Sequence, residues 1–186
     1  MALQSHIEKI LWPEDQISAR ISEVGAQITD EFRAISPPPV VVGVATGAFL
    51  FLADLVRKID LPISVDFVRA ESYGSGTESN GAPTISCDLK VDVKNRHVIV
   101  VEDIVDTGHT LSCIIADLTS KGASSVSVCT FLDKPARRKV HFQLVGEGKF
   151  YRCFECPNYF VVGYGMDFNE LYRNLPYVGV LKPEHY

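Results

Sequence analysis

Apolar side chains in the first part of the chain follow the spacing of one helix face. They recur every three or four residues, which places them on one side of an α-helix. Pro13 suits a first helical turn, and the prolines at 37–39 cannot continue a helix. The pattern predicts an amphipathic helix over 14–35. Its buried face is predicted to consist of Ile17, Ile21, Val24, Ile28, Phe32 and Ile35.

The apolar segments that follow alternate between strands and helices. Residues 40–45 are apolar at every position, as expected of a strand that helices cover on both faces. A helical stripe over 49–59 and an alternating strand at 63–67 come next. Further strands are predicted at 97–101, 126–132, 159–162 and 177–181, and a further helix at 111–118. This alternation predicts an α/β fold with a central, parallel, twisted sheet flanked by helices.

One long segment has no apolar periodicity. Residues 71–84 are rich in Gly, Ser and Asn, which is typical of an exposed loop. Loops of this length in a compact domain are often lids over a site or disordered segments.

The composition limits the classes of protein to consider. A chain of 186 residues, with 46% apolar and 22% charged residues, has the size and balance of one globular domain, predicted to span 1–186. The net charge of −5 argues against binding nucleic acid through phosphate neutralisation. We therefore expect no nucleic-acid partner.

The cysteines and the amino terminus bear on the compartment. The five cysteines are odd in number and irregular in spacing, which indicates reduced thiols and a cytoplasmic location. Cys153 and Cys156 could form half of a zinc site, but no second pair accompanies them. The first residues lack a signal-peptide pattern, and no apolar stretch approaches the ~20 residues that cross a bilayer. No membrane association is expected.

Candidate chemistry is concentrated in residues 97–111, HVIVVEDIVDTGHTL. An apolar strand runs directly into Glu102, Asp103 and Asp106, and a helix follows. Ligands of open α/β sheets bind beyond the carboxyl ends of the strands. The turn around Gly108 and the start of the helix suit a phosphate, and the carboxylates suit sugar hydroxyls and hydrated Mg²⁺. The segment predicts a phosphorylated-sugar site, whereas an ordinary strand-to-helix turn with solvated acids is the alternative.

The segment 100–111, VVEDIVDTGHTL, resembles the phosphoribosyl-pyrophosphate (PRPP) signature of type I phosphoribosyltransferases. Over roughly residues 40–181, which is most of its length, the chain is similar to the hypoxanthine-guanine branch of that family. The resemblance implies the type I fold, with a small hood built from the amino- and carboxyl-terminal segments. It also implies that the flexible loop at about 71–84 is a lid and that residues 150–186 form the base-binding and hood segment.

The resemblance assigns roles around PRPP. The acid pair Glu102 and Asp103 corresponds to the residues that contact the ribose hydroxyls, and Asp106 to the proposed general base at purine N7. Mg²⁺ is the implied cofactor, held partly through water by Glu102, Asp103 and Asp167. The residues implied to wrap the 5′-phosphate are Asp106, Thr107, Gly108, His109 and Thr110.

The resemblance also assigns a purine site. Lys134 matches the lysine that donates to the purine 6-oxo group, and an ammonium donor prefers that carbonyl to the amino group of adenine. Phe160 corresponds to a residue that stacks on the base, and Val161 to one that offers its backbone groups. Asp167 follows in the same segment. Taken alone, each is more often a core or surface residue.

Further residues correspond to the pyrophosphate site. The segment 45–47 matches the pyrophosphate loop, with Thr46 where many members carry Lys or Arg and Gly47 after it. Arg173 matches a pyrophosphate contact. Ser72 and Tyr73 match the start of the lid, and Arg69 and Arg138 are further candidate positive groups.

The expected function is purine salvage: Mg²⁺-dependent transfer of the phosphoribosyl group from PRPP to N9 of hypoxanthine or guanine, giving IMP or GMP and pyrophosphate. One alternative is a PRPP-sensing regulator that retains the fold without catalysis, and another is a xanthine-preferring enzyme. The presence of Asp106, Lys134 and Asp167 together favours the enzyme. The resemblance further implies a homodimer or homotetramer.

Overall fold

A computed structural model describes residues 2–71, 84–86 and 88–185. Short 3₁₀ helices lie at Ala2–His6, Pro135–Arg137 and Pro183–His185. The remaining elements, in chain order, are β1 (Ile7–Trp12), α1 (Glu14–Phe32), β2 (Val40–Ala45), α2 (Phe49–Val56), β3 (Ser64–Glu71), β4 (Thr84–Ser86), β5 (His97–Val105), α3 (His109–Ser120), β6 (Ser125–Asp133), β7 (Phe150–Glu155), β8 (Val161–Val162) and β9 (Val178–Leu181).

The main sheet has the strand order β4-β3-β2-β5-β6-β7. Neighbouring strands pair in parallel along β3, β2, β5, β6 and β7, and β4 adds an antiparallel edge beside β3. The register brings the carboxyl ends of β2, β5 and β6 to one edge of the sheet. The predicted α/β fold with a central parallel sheet is confirmed.

Two hydrophobic cores lie on opposite faces of this sheet. Val41 of β2 packs with α1 and α2, whereas Val40 and Val42 pack with α3. Neighbouring residues of a strand point to opposite faces, so both faces of β2 are buried. This arrangement explains the unbroken apolar run at 40–45.

A separate antiparallel sheet, with the order β1-β9-β8, forms the expected hood from the two terminal segments. Ile7 lies opposite Leu181, and Trp12 lies opposite Val178. The chain therefore returns at its carboxyl end to pair with its amino-terminal strand. This pairing brings the segment after β7 over the edge of the main sheet.

Several predicted boundaries differ from the structure. Helix α1 ends at Phe32 rather than at 35, because the chain turns there, with the Ile35 N–H donating to the Phe32 carbonyl, before the proline run. β8 covers only Val161–Val162 rather than 159–162. Strands β1, β4 and β7 were not predicted. In β7 only Tyr151 and Cys153 are fully buried, which is typical of a sheet edge.

Four of the five cysteines lie within the described residues. Cys113, Cys129, Cys153 and Cys156 are free, and the last three are buried. No group of His, Cys, Asp and Glu residues within 2–71, 84–86 and 88–185 could hold a metal ion by itself. No helix in those ranges is long and apolar enough to span a membrane.

Candidate active site

The turn between β5 and α3 forms one wall of the site. Gly108 caps α3 with φ +88°, and a Cβ there would overlap the carbonyl oxygen of Val140. The Thr107 carbonyl accepts hydrogen bonds from the N–H groups of Lys139 and Val140 at 3.0 and 2.9 Å. Because the segment after β6 is bonded to this turn, only glycine fits at 108. A cavity of about 70 Å³ is lined by Glu102, Ile104, Val105, Asp106, Thr107, Gly108, Thr110 and Leu111.

The acid pair lies at the end of β5. Glu102 is only 6% exposed, and burial together with the neighbouring Asp103 carboxylate raises its pKa well above the usual range. Burial also raises the pKa of Asp103, against hydrogen bonds to its carboxylate and the nearby charge of Arg173. Two adjacent carboxylates that resist ionising together are stabilised by a proton or a cation between them.

The predicted pyrophosphate loop lies against this pair. The Ala45–Thr46 peptide bond is cis. A Cβ on Gly47 would overlap the Asp103 carboxylate, and a Cβ on Gly165 would overlap the Gly47 carbonyl. The end of β2, the acid pair and the turn after β8 therefore meet through close backbone contacts.

Lys134 lies at the end of β6 and is buried, with 8% of its surface exposed. Its backbone N–H donates to the Val105 carbonyl at 2.9 Å, and Nζ donates to the Tyr159 carbonyl at 2.7 Å. The backbone of Lys134 is thus fixed to β5, and its ammonium group is bonded to the segment that precedes Phe160. Phe160 is 41% exposed and makes an edge contact with Phe168, with 5.5 Å between ring centroids.

The hood contributes a carboxylate and a guanidinium. Arg173 Nη2 lies 3.0 Å from Asp167 Oδ1, and Nη1 donates to the Gly165 carbonyl at 2.8 Å. Asp167 Oδ2 also accepts a hydrogen bond from the Glu170 N–H at 2.9 Å. Since the charge of Arg173 lowers the pKa of Asp103, Arg173 connects Asp167 electrostatically with the acid pair.

The other predicted residues have different surroundings. Arg138 is directed into the fold, where it forms an ion pair with the buried Asp133. Arg69 is exposed on β3, opposite Ala45 of β2. Val161 is buried and pairs with Val180. Ser72 and Tyr73, and the predicted lid beyond residue 71, lie outside the described residues.

Arg137 is a site residue that the sequence analysis missed. Its Nε donates to both carboxylate oxygens of Asp106, at 2.8 and 3.1 Å. The available signal was its place at the end of the short 3₁₀ turn that follows Lys134. Arg137 ends that turn and Arg138 follows it, and the backbone geometry decides which of the two reaches Asp106.

The carboxylates fit a divalent magnesium ion. Mg²⁺ prefers oxygen ligands and keeps several waters, with substrate phosphates completing its shell. Glu102 and Asp103 offer oxygens whose mutual repulsion a cation would relieve. Asp167 offers a further carboxylate on the hood side, near enough to share Arg173 with the pair.

Comparisons with known proteins agree with this geometry. A model of the phosphoribosyl transferase domain matches residues 14–169. The hypoxanthine-guanine phosphoribosyltransferase of Streptococcus pneumoniae is 44% identical over 184 residues, covering 99% of this chain and 98% of that protein. The bifunctional protein TilS/HprT of Listeria monocytogenes is 43% identical over 185 residues, and the chain spans only 28% of its length.

A solved structure extends the comparison to the fold. The crystal structure of a hypoxanthine phosphoribosyltransferase from Staphylococcus aureus is similar with a TM-score of 0.90 and 40% identity, covering 100% of this chain and 97% of that one. The resemblance noted in the sequence is therefore confirmed. This chain belongs to the phosphoribosyltransferase family, in the group that contains the hypoxanthine-guanine enzymes.

Proposed function

We propose that this enzyme transfers the 5-phosphoribosyl group of PRPP to N9 of hypoxanthine or guanine, releasing pyrophosphate and giving IMP or GMP. The observation that carries the proposal is the meeting of three features at neighbouring strand ends. These are the buried acid pair Glu102–Asp103, the phosphate-sized turn at Gly108, and the buried ammonium of Lys134. The names of the relatives support the same activity.

Binding of PRPP uses groups remote from the reacting carbon. The 5′-phosphate is received by the N–H groups and hydroxyls of 107–110 at the start of α3. Glu102 and Asp103 accept hydrogen bonds from the ribose hydroxyls. Holding the sugar at both points converts the attack of the base into a reaction between oriented groups.

The purine is oriented by the segment after β6. Lys134 donates to the 6-oxo group, Phe160 stacks on the ring, and backbone groups at Val161 contact its edge. N9 attacks C1 of the ribose as the bond to pyrophosphate breaks, and Asp106 accepts the proton from N7. Glu102, Asp103 and Asp167 would hold Mg²⁺, partly through water, and the ion would supply charge neutralisation for the leaving pyrophosphate.

The pyrophosphate loop at 45–47 carries no lysine or arginine side chain. Thr46 carries no charge, so the N–H groups of Thr46 and Gly47 act together with Arg173. Ser72 and Tyr73 close over the reaction as part of a lid, and Arg69 adds a positive group at the end of β3. Arg138 contributes through its contact with the turn at Gly108 rather than through the substrate.

An assay with four bases tests the proposal. The purified protein is incubated with PRPP and Mg²⁺ and with hypoxanthine, guanine, xanthine or adenine, alongside Asp106→Ala, and the nucleotides are separated by chromatography. Formation of IMP and GMP that is lost in the variant supports the proposal. Xanthine as the preferred base would favour the xanthine enzyme, and PRPP binding without any product would favour a sensor.

We also propose that the chain forms a homodimer or homotetramer. Val65 and Phe67 of β3 are 41% and 51% exposed. They lie on the same face of the sheet as Gly43, and α2 covers that face at Gly43. Exposed apolar neighbours of this kind are typical of interfaces. Light scattering on Phe67→Ser tests this, because a dimer that uses the surface dissociates and one that does not remains intact.

The buried free thiols support a cytoplasmic location.

A further inference from the structure

The surroundings of Asp106 contain one feature that the proposed mechanism does not yet use. Arg137 Nε donates to both oxygens of the Asp106 carboxylate, at 2.8 and 3.1 Å. Within the described part of the chain, these are the only hydrogen bonds recorded for that carboxylate. The side chains are 50% and 36% exposed, so the pair lies at the open side of the site.

The backbone of Arg137 is fixed to the turn that carries Asp106. The Arg137 N–H donates to the Lys134 carbonyl at 3.1 Å, and Lys134 itself is bonded to Val105. Two and three residues later, the N–H groups of Lys139 and Val140 donate to the Thr107 carbonyl. The arginine and the aspartate are therefore presented by segments that are bonded together on both sides of the ion pair.

The ion pair leaves the carboxylate able to react. A single N–H that is shared between the two oxygens occupies one edge of the group, and each oxygen has a second lone pair. An approaching N–H at purine N7 can use that remaining capacity.

We propose that Arg137 is a positioning residue for the reaction, which orients the Asp106 carboxylate toward the N7 proton of the purine. The proton passes from N7 to Asp106, and Arg137 keeps its own proton throughout. This inference rests on the proposed function. It distinguishes the two neighbouring arginines, since Arg138 is committed to its ion pair with Asp133.

Three variants test the role of Arg137. Arg137→Gln removes the cation, Arg137→Lys restores the charge without the guanidinium, and Lys139→Gln is the matched control. Lys139 is an exposed cation two residues away, and no side-chain bond is recorded for it among the described residues. Each variant is assayed for kcat and KM with hypoxanthine and PRPP, and thermal melting checks its fold.

We expect Arg137→Gln to lower kcat by about tenfold to a hundredfold, because a misplaced catalytic group reacts more slowly. The KM for PRPP should change less. Arg137→Lys recovers part of kcat. Lys139→Gln behaves as wild type in both kcat and KM.

A double-mutant cycle with Asp106→Asn separates this role from a general structural one. If Arg137 acts through Asp106, adding Arg137→Gln to Asp106→Asn lowers kcat by less than twofold further. Additive effects, or equal effects of Arg137→Gln and Lys139→Gln, would each overturn the inference. A wild-type protein that forms no nucleotide from any base would refute the proposed function instead.

Discussion

The two glycines that flank α3 provide a direct test of the phosphate turn. Gly108 precedes the helix with φ +88°, and Gly122 follows it with φ +84°. Both backbones are left-handed, a conformation that disfavours any residue with a Cβ by about 1–2 kcal/mol. The two positions differ in the space available, because a Cβ on Gly108 overlaps the Val140 carbonyl whereas one on Gly122 meets Lys94 Cγ at 3.4 Å.

These differences set the magnitudes for replacement by alanine. Gly122→Ala should lower stability by about 1–2 kcal/mol, which lowers the melting temperature by about 2–8 °C for a chain of this size. Gly108→Ala must in addition displace Val140 and strain the two hydrogen bonds onto the Thr107 carbonyl, at about 0.5–1.5 kcal/mol each. The total is about 2–5 kcal/mol.

Melting curves and PRPP titrations by calorimetry check this prediction. We expect Gly108→Ala to melt lower than Gly122→Ala and to bind PRPP at least about tenfold more weakly, a loss of ~1.4 kcal/mol, because its phosphate turn has moved. Gly122→Ala should bind PRPP as wild type does. If Gly108→Ala melts no lower than Gly122→Ala and binds PRPP normally, the packing argument for this turn is wrong.

Three further predictions test the base site, the core and the hood. Lys134→Met removes the donor to the 6-oxo group and should lower kcat/KM for hypoxanthine by at least about tenfold, a loss of ~1.4 kcal/mol, and steady-state kinetics that match wild type would contradict the role of Lys134. Burial alone would raise the pKa of Asp66, but N–H groups of Val91, Phe67 and Lys90 donate to its carboxylate and lower the pKa below its ordinary value. Asp66 therefore stabilises the fold fully above the unfolded pKa of about 4 and loses that effect as pH falls through the folded value. Asp66→Asn should lower the free energy of unfolding by about 1 kcal/mol at pH 7 and by less at pH 3, and urea denaturation that gives equal losses at both pH values would refute the assignment. Tyr164→Phe removes the 2.6 Å hydrogen bond to Asp54 and should lower the free energy of unfolding by about 1 kcal/mol, whereas an unchanged urea midpoint would show that the bond contributes nothing.

The elements that the sequence predicted share one physical property. Strands β2, β5 and β6 are buried on both faces, so their composition alone distinguishes them from their surroundings. Strand β1 has only Ile7 fully buried, and its partner β9 lies more than 160 residues along the chain. A local sequence pattern does not indicate a pairing over that distance. The hood was therefore predicted from the family resemblance, and its first strand was not predicted from periodicity.

The same distinction separates the parts of the site. The acids and the phosphate turn lie on one continuous segment, so their order along the chain already implies their order in space. Whether Arg137 or Arg138 reaches Asp106 depends on how the segment after Lys134 is bonded to Thr107. The sequence of two adjacent arginines does not indicate which one it is. The same is true of Gly47, Asp103 and Gly165, which come from three distant segments and meet only because two of them lack a Cβ. A glycine in a sequence shows that close approach is allowed, whereas the neighbour that requires it is known only once the strands are in register.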